Sequence, residues 1–77
     1  MKYECKGIVG VVNKLKELDI SIVSKEDEKY IKDICKNIRN MRDSKNDSFD
    51  YVNCEGEEVE IYIEYDIKTR YFYIEIQ

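Results

Sequence analysis

The chain has 77 residues, 13 Lys/Arg against 17 Asp/Glu, a net charge of −4, and no histidine, proline, tryptophan or alanine. A chain this short buries roughly 60–65% of the surface it exposes when unfolded, enough for one modest core and one domain, residues 1–77. No apolar run approaches the ~20 residues of a membrane span, and the opening Met1-Lys2-Tyr3-Glu4-Cys5 lacks the apolar stretch of a signal peptide, so a cytoplasmic location is expected.

Met1, Cys5, Ile8, Val11, Val12, Leu15 and Leu18 fall on one stripe at helical spacing, which predicts a helix over about residues 2–18. Gly7 and Gly10 oppose it, since each costs about 1 kcal/mol inside a helix. The rival reading is a short strand over Tyr3–Cys5 with a helix beginning near Gly7. After Asp19–Val23 breaks the pattern, Ser24 offers an N-cap hydroxyl with Asp27 three residues on, an acidic form of the capping box. Glu26, Asp27 and Glu28 suit a helix N-terminus, and Arg39 and Arg42 suit its C-terminus. Ile31, Ile34, Cys35, Ile38 and Met41 supply the apolar stripe of this second helix, about residues 25–42.

Asp43–Asp50 is polar and reads as a surface loop. Residues 49–54 read as a strand whose register has two solutions. A two-residue turn sets Val52 opposite Val59; a three-residue link sets Phe49 and Tyr51 opposite Ile63 and Ile61, burying more aromatic surface. From Val59 to Ile67 apolar residues alternate strictly with Glu60, Tyr62, Glu64 and Asp66, and Tyr71–Gln77 alternates again, so both are half-buried strands. Asp66 opens the turn between them and Arg70 takes the left-handed position where glycine is usual. Setting Asp66 opposite Tyr71 pairs Tyr65 with Phe72, Glu64 with Tyr73, Ile63 with Ile74, Tyr62 with Glu75 and Ile61 with Ile76. A slip by one residue would set isoleucines against glutamates.

These elements predict an α+β two-layer sandwich in the order ααβββ. An N-terminal helix pair packs on one face of a three-stranded antiparallel meander, and the other face is left to solvent. Tyr71–Gln77 would then be an edge strand with few charges to guard it, a route to a homodimer by strand pairing.

The sequence carries no catalytic, phosphate-binding or metal motif, and neither a cofactor nor enzyme activity is expected. Cysteines 5, 35 and 54 are widely spaced, and with no histidine a tetrahedral zinc site would need a carboxylate as its fourth ligand, so reduced, partly buried thiols are expected. Glu60 and Glu64 lie about 13 Å apart along an extended strand, too far to share a water or an ion.

Charge is divided along the chain: residues 1–48 hold 11 Lys/Arg and 9 Asp/Glu, residues 49–77 hold 2 and 8. The outward hairpin face predicts a contact surface of Glu58, Glu60, Tyr62, Glu64, Tyr71, Tyr73 and Glu75. Tyrosine buries much area for little rotamer entropy, and carboxylates around it steer approach to a basic partner. The expected function is a small acidic interaction module that inhibits a protein target by occupying its basic surface, a nucleic-acid-binding enzyme being one such target. Duplex DNA sets a charge every ~1.7 Å and alternate strand residues one every ~6.8 Å, so mimicry of it would also recruit Asp50, Glu55 and Glu57. Isoleucine, lysine, asparagine and tyrosine, whose codons are AT-rich, fill 33 positions, which points to an AT-rich bacterium or its phage. In composition the chain resembles small acidic phage proteins that inhibit host defence, which would act in the host cytoplasm. The alternative is a nucleic-acid-binding or regulatory module using a basic stripe beside the second helix's apolar one: Lys25, Lys29, Lys32, Lys36 and Arg39.

Overall fold

Gly7 decides how the chain begins. In the computed structural model, which describes residues 2–77, Tyr3–Cys5 is a strand, β1, and helix α1 spans Ile8–Glu17. Met1, counted in the helical stripe, lies outside the described residues. The continuous helix over 2–18 gives way to the rival reading, because Gly7 is extended (φ −166°) and serves as the N-cap of α1. Tyr3 and Cys5 turn inward while Glu4 turns to solvent, a period of two too short to be distinguished from a helical stripe.

Helix α1 ends in a Schellman arrangement. Ile20 N–H donates to the Leu15 carbonyl at 3.0 Å and Asp19 N–H to the Lys16 carbonyl at 3.2 Å. Asp19 takes the left-handed position at φ 63°, and Leu15 and Ile20, which flank it, are both in the core. Helix α2, Lys25–Arg39, starts as its sequence dictates. The Ser24 hydroxyl accepts from Asp27 N–H, and the Asp27 carboxylate accepts from Ser24 N–H, a complete capping box. Its last carbonyl is met from outside the helix: the Lys45 ammonium donates to the carbonyl of Arg39 and to that of Met41 just beyond the helix end.

Three strands follow, β2 (Asn46–Val52), β3 (Glu58–Asp66) and β4 (Tyr71–Ile76). With β1 they form a four-stranded antiparallel sheet in the order β1-β4-β3-β2. The architecture is α+β in the order βααβββ, so the three-stranded ααβββ meander gains a strand at its front. The β3–β4 pairing is the predicted one throughout, from Asp66↔Tyr71 to Ile61↔Ile76. Asp66 Oδ1 accepts from Lys68 N–H at 2.9 Å, and Arg70 stands at φ 62°.

The β2 register differs from both solutions considered. Phe49 faces Ile61 and Tyr51 faces Val59, two residues from the aromatic-burying alternative, with the same side chains turned inward. The cause is local. Asn53 Oδ1 accepts from the N–H of Glu55 and of Glu57, both at 2.9 Å, and Gly56 takes φ 83°. The loop therefore closes over Cys54-Glu55-Gly56, one residue earlier than supposed. β2 also begins within the stretch read as a loop, since pairing of Asn46–Ser48 with Tyr62–Glu64 overrides their weak strand propensity.

Both helices pack on the sheet face that carries Cys5, Ile61, Ile63, Phe72 and Ile74, and these join Val11, Val12, Leu15, Ile31, Cys35 and Ile38 in one core. β4 lies between β3 and β1, with Cys5↔Phe72 and Tyr3↔Ile74 paired. It is therefore not an edge, and the proposed homodimer through residues 71–77 loses its basis: three of those residues already hold a neighbour on that side. No described helix is long and apolar enough to cross a membrane.

A Cβ on Gly10 would sit 3.7 Å from Cys5 Cβ, ordinary van der Waals contact. Gly10→Ala is expected to stabilise the fold by about 1 kcal/mol in urea denaturation, the helix-propensity difference. Asp19→Gly is expected to stabilise as well, by relieving a left-handed backbone of order 1 kcal/mol. Destabilisation by Gly10→Ala would show that α1 sits closer to β1 than described.

Candidate functional site

The pleat that buries the isoleucines fixes what the opposite face displays. On β3, Glu58, Glu60, Tyr62, Glu64 and Asp66 alternate with the buried set; on β4, Tyr71, Tyr73 and Glu75 do so. The register joins them in cross-strand rows, Asp66 with Tyr71, Glu64 with Tyr73 and Tyr62 with Glu75. All seven predicted contact residues therefore share one sheet face. Glu58 and Glu60 are exposed, whereas Tyr62, Glu64, Tyr71, Tyr73 and Glu75 are half-buried against one another. Among the described residues no helix or loop covers them.

Two acids join the face that the hairpin alone did not reveal. Glu4 of β1 lies opposite Tyr73, and Asp50 of β2 lies opposite Glu60. The sheet thus presents seven carboxylates (Glu4, Asp50, Glu58, Glu60, Glu64, Asp66 and Glu75) around three phenols. The Lys2 ammonium reaches Glu64 Oε1 at 3.5 Å, and the Tyr62 hydroxyl donates to Glu64 Oε2 at 3.5 Å. Partial burial raises the Tyr62 pKa, and the negative charge of Glu64 pushes it the same way. This phenol stays a neutral donor over the physiological range.

The face is not built for proton transfer. Its carboxylates stand in rows along strands rather than facing each other across a cleft, as glycosidic acid–base pairs do within about 10 Å. An open depression of about 470 Å³ lies at the end of the sheet, where Glu64 and Asp66 meet Arg42, Asp43 and Lys45. Its charges are mixed, and Lys45 is engaged with the end of α2. Cys5 and Cys35 are buried, and burial raises both thiols, Cys35 to about 12. Cys54 is exposed, in contrast to the partly buried thiol expected there.

The basic stripe lies along the solvent flank of α2. Lys25, Lys29, Lys36 and Arg39 are exposed and Lys32 is half-buried. Among the described residues none of the five joins an ion pair; the pairs that form use Lys2, Lys14 and Lys16. Lys25, Lys29 and Lys32 border a depression of about 420 Å³ together with Glu28.

On its other flank α2 carries a cluster that the sequence reading missed. Tyr30 stacks on Tyr51 and meets Phe49 edge-on, each ring pair 6.0 Å between centroids. The Tyr51 hydroxyl donates to Asp27 Oδ1, while Asp27 Oδ2 accepts from the N–H of Val23 and Ser24. One carboxylate thus caps α2 and ties it to β2. The available signal was an N-cap acid with a tyrosine strand downstream, which spacing alone does not connect.

No protein-family model, no curated protein and no solved structure matches the chain.

The Asp27–Tyr51 pair makes stability depend on pH at both extremes. Burial and then the bond to Asp27 raise Tyr51 from 10 to about 12, and that bond is in turn the main cause of the lowered Asp27 pKa. The raised phenol stabilises the fold below pH 10, and that contribution is lost as pH climbs toward about 12. The lowered carboxyl contributes above the ordinary carboxylate range and loses its contribution as pH falls through that range. Chemical denaturation across pH should show both arms flattened in Tyr51→Phe, and phenolate absorbance should show that variant lacking the component that ionises last. Unchanged arms would mean that the pair does not persist in solution.

Proposed function

We propose that the chain is a small interaction module that inhibits a protein target by occupying its basic surface. The contact is made by the outer sheet face: Glu58, Glu60, Tyr62, Glu64, Tyr71, Tyr73 and Glu75, extended by Glu4 and Asp50. One observation carries the reading, three half-buried tyrosines interleaved with seven carboxylates on a single sheet face that no described helix or loop covers. A solubilising surface needs the charge but not the aromatic area. The rings supply the apolar contact at the centre of the patch, and the carboxylates steer the partner in and select its sign. The two longer extents of the molecule, 35 and 26 Å, bound such a face at roughly 900 Å². One side of an ordinary stable interface is ~800 Å².

Targets whose basic surface serves nucleic acid fit this chemistry, since occupation of that surface blocks the natural ligand. The match is to the protein surface rather than to duplex geometry, because strand spacing sets charges several-fold further apart than the ~1.7 Å of DNA.

A second reading rests on the α2 stripe. Five cations without ion-pair partners among the described residues form a phosphate-binding surface on the helical layer, away from the acidic sheet. Binding to duplex and single-stranded nucleic acid at ~50 and ~200 mM salt tests it, with loss of affinity at the higher salt expected. Absence of binding at the lower salt removes it.

For the principal reading, the immobilised protein is expected to retain specific basic proteins from a bacterial lysate and to release them as salt is raised. The double variant Tyr73→Ala/Glu64→Lys, folded by circular dichroism, is expected to retain none of them, since central aromatic contacts cost 2 kcal/mol or more, roughly thirtyfold, when truncated. Equal retention by the double variant would retire the face.

A further inference from the structure

The two edges of the sheet are not alike. β1 is three residues long and sits between the exposed lysines Lys2 and Lys6, a guarded edge. β2 is seven residues long and has a strand neighbour on one side only. Asn53 N–H donates to the Glu57 carbonyl and Tyr65 N–H to the Lys45 carbonyl, so odd-numbered residues of β2 bond across to β3. The backbone groups of Asn46, Ser48, Asp50 and Val52 therefore point away from the sheet. The far end of that edge is already used. Ser21 N–H donates to the Val52 carbonyl at 3.0 Å, Ile20 bridges Asn53, and Cys54 N–H donates to the Asp19 carbonyl at 2.7 Å. An extended stretch of this same chain thus sits there as a short extra strand, and it stops before Asp50.

What remains, Asn46 to Asp50, is bordered by two different surfaces. On the helix side lie half-buried Phe49 and the ring of Tyr30, which is 47% exposed although it touches both Phe49 and Tyr51. On the outer side Asp50 stands beside Glu60, and Ser48 beside Tyr62. A strand laid along this edge would alternate its side chains between an aromatic shelf and a row of carboxylates about 5 Å away. The Ser48 N–H is held by its neighbour, with Asp47 Oδ1 accepting at 2.8 Å. That contact is local and exchangeable.

We infer that the open half of β2 docks an extended segment of the basic partner as a fifth strand, its apolar residues on the Tyr30–Phe49 shelf and its lysines or arginines over Asp50 and Glu60. This rests on the reading of the partner as basic and specifies how it binds: backbone hydrogen bonds give affinity and the alternation gives specificity. A second copy of this chain is the wrong occupant, because strand pairing of two β2 edges would bring Asp47 and Asp50 of each toward those of the other.

The probe is an octapeptide of alternating valine and lysine, compared with the same peptide N-methylated at every residue, both labelled and titrated at about 50 mM salt. The unmodified peptide is expected to bind at least about tenfold more tightly, the value of one or two edge hydrogen bonds. Ser48→Pro keeps the bonds to β3, because an edge strand tolerates proline where its N–H faces outward, and is expected to lose that advantage with circular dichroism unchanged. Asp47→Ala frees the Ser48 N–H but removes one edge carboxylate, so both peptides are expected to bind more weakly while the preference for the unmodified one widens. Hydrogen exchange at Ser48 and Asp50 should slow in the complex. Equal binding of the two peptides, wild-type affinity in Ser48→Pro, or no binding by either peptide overturns the edge site. The Tyr73→Ala/Glu64→Lys variant separates this outcome from the fate of the sheet face. Peptide binding that ignores N-methylation but falls in that variant keeps the face and rejects the edge. Edge-dependent binding that survives in it does the reverse.

Discussion

The inward face of the β3–β4 pair carries this molecule. Ile61, Ile63, Phe72 and Ile74 are each at most 1% exposed, and both helices rest on them. Burying such a side chain contributes about 1.5–3 kcal/mol, so these four alone rival the net stability of a small domain. Because the strand period is two, the same pairing sends Tyr62, Glu64, Tyr73 and Glu75 to the other side. A one-residue slip would drive Glu60, Tyr62 and Glu64 under the helices, where unpaired carboxylates cannot be accommodated. The core and the acidic face are one fact seen from two sides, and no substitution can move the face without first dismantling the core.

Legibility in the sequence tracked how many residues voted for each element. The hairpin offers long alternating runs, and its register was readable to the last pair. Helix α2 announces its start with Ser24 and Asp27 and its buried face with Ile31, Cys35 and Ile38. Tyr3–Cys5 offers only three residues, and their inward pair happens to fit a helical stripe; only the glycines that follow argue otherwise. The β2 register turned on a side chain, Asn53, whose two backbone bonds move the loop by one residue. Missing β1 also misassigned the edges, because a strand counted as helix cannot cover β4. Of the candidate site, the seven hairpin residues were legible, whereas Glu4 and Asp50 arrive from strands whose partners are known only in three dimensions.

Asp27 links these levels. Its position in the chain makes it a helix cap, and its position in space makes it the acceptor for Tyr51, so the start of α2 and the C-terminal end of β2 are held by one carboxylate. That tie matters because β2 is an outer strand, bonded to the sheet on one side. Stacking of Tyr30 on Tyr51 and the hydroxyl bond to Asp27 supply on the helix side what a neighbouring strand would otherwise supply. The strand is held in place while the outer backbone groups of Asn46 to Asp50 face away from the sheet.

The return of β1 to β4 then has a consequence beyond topology. It closes the side of the sheet where self-pairing through β4 would have been easiest and leaves open the side nearest Asp47, Asp50 and Glu60. Openness at an edge is ordinarily an aggregation hazard, and charge is the usual remedy. Here the remedy is selective: carboxylates repel another copy of an acidic chain and attract a basic one. An edge guarded by a single sign of charge discriminates by the sign of the approaching strand rather than refusing every one, and Tyr30, 47% exposed, lies beside it as apolar area.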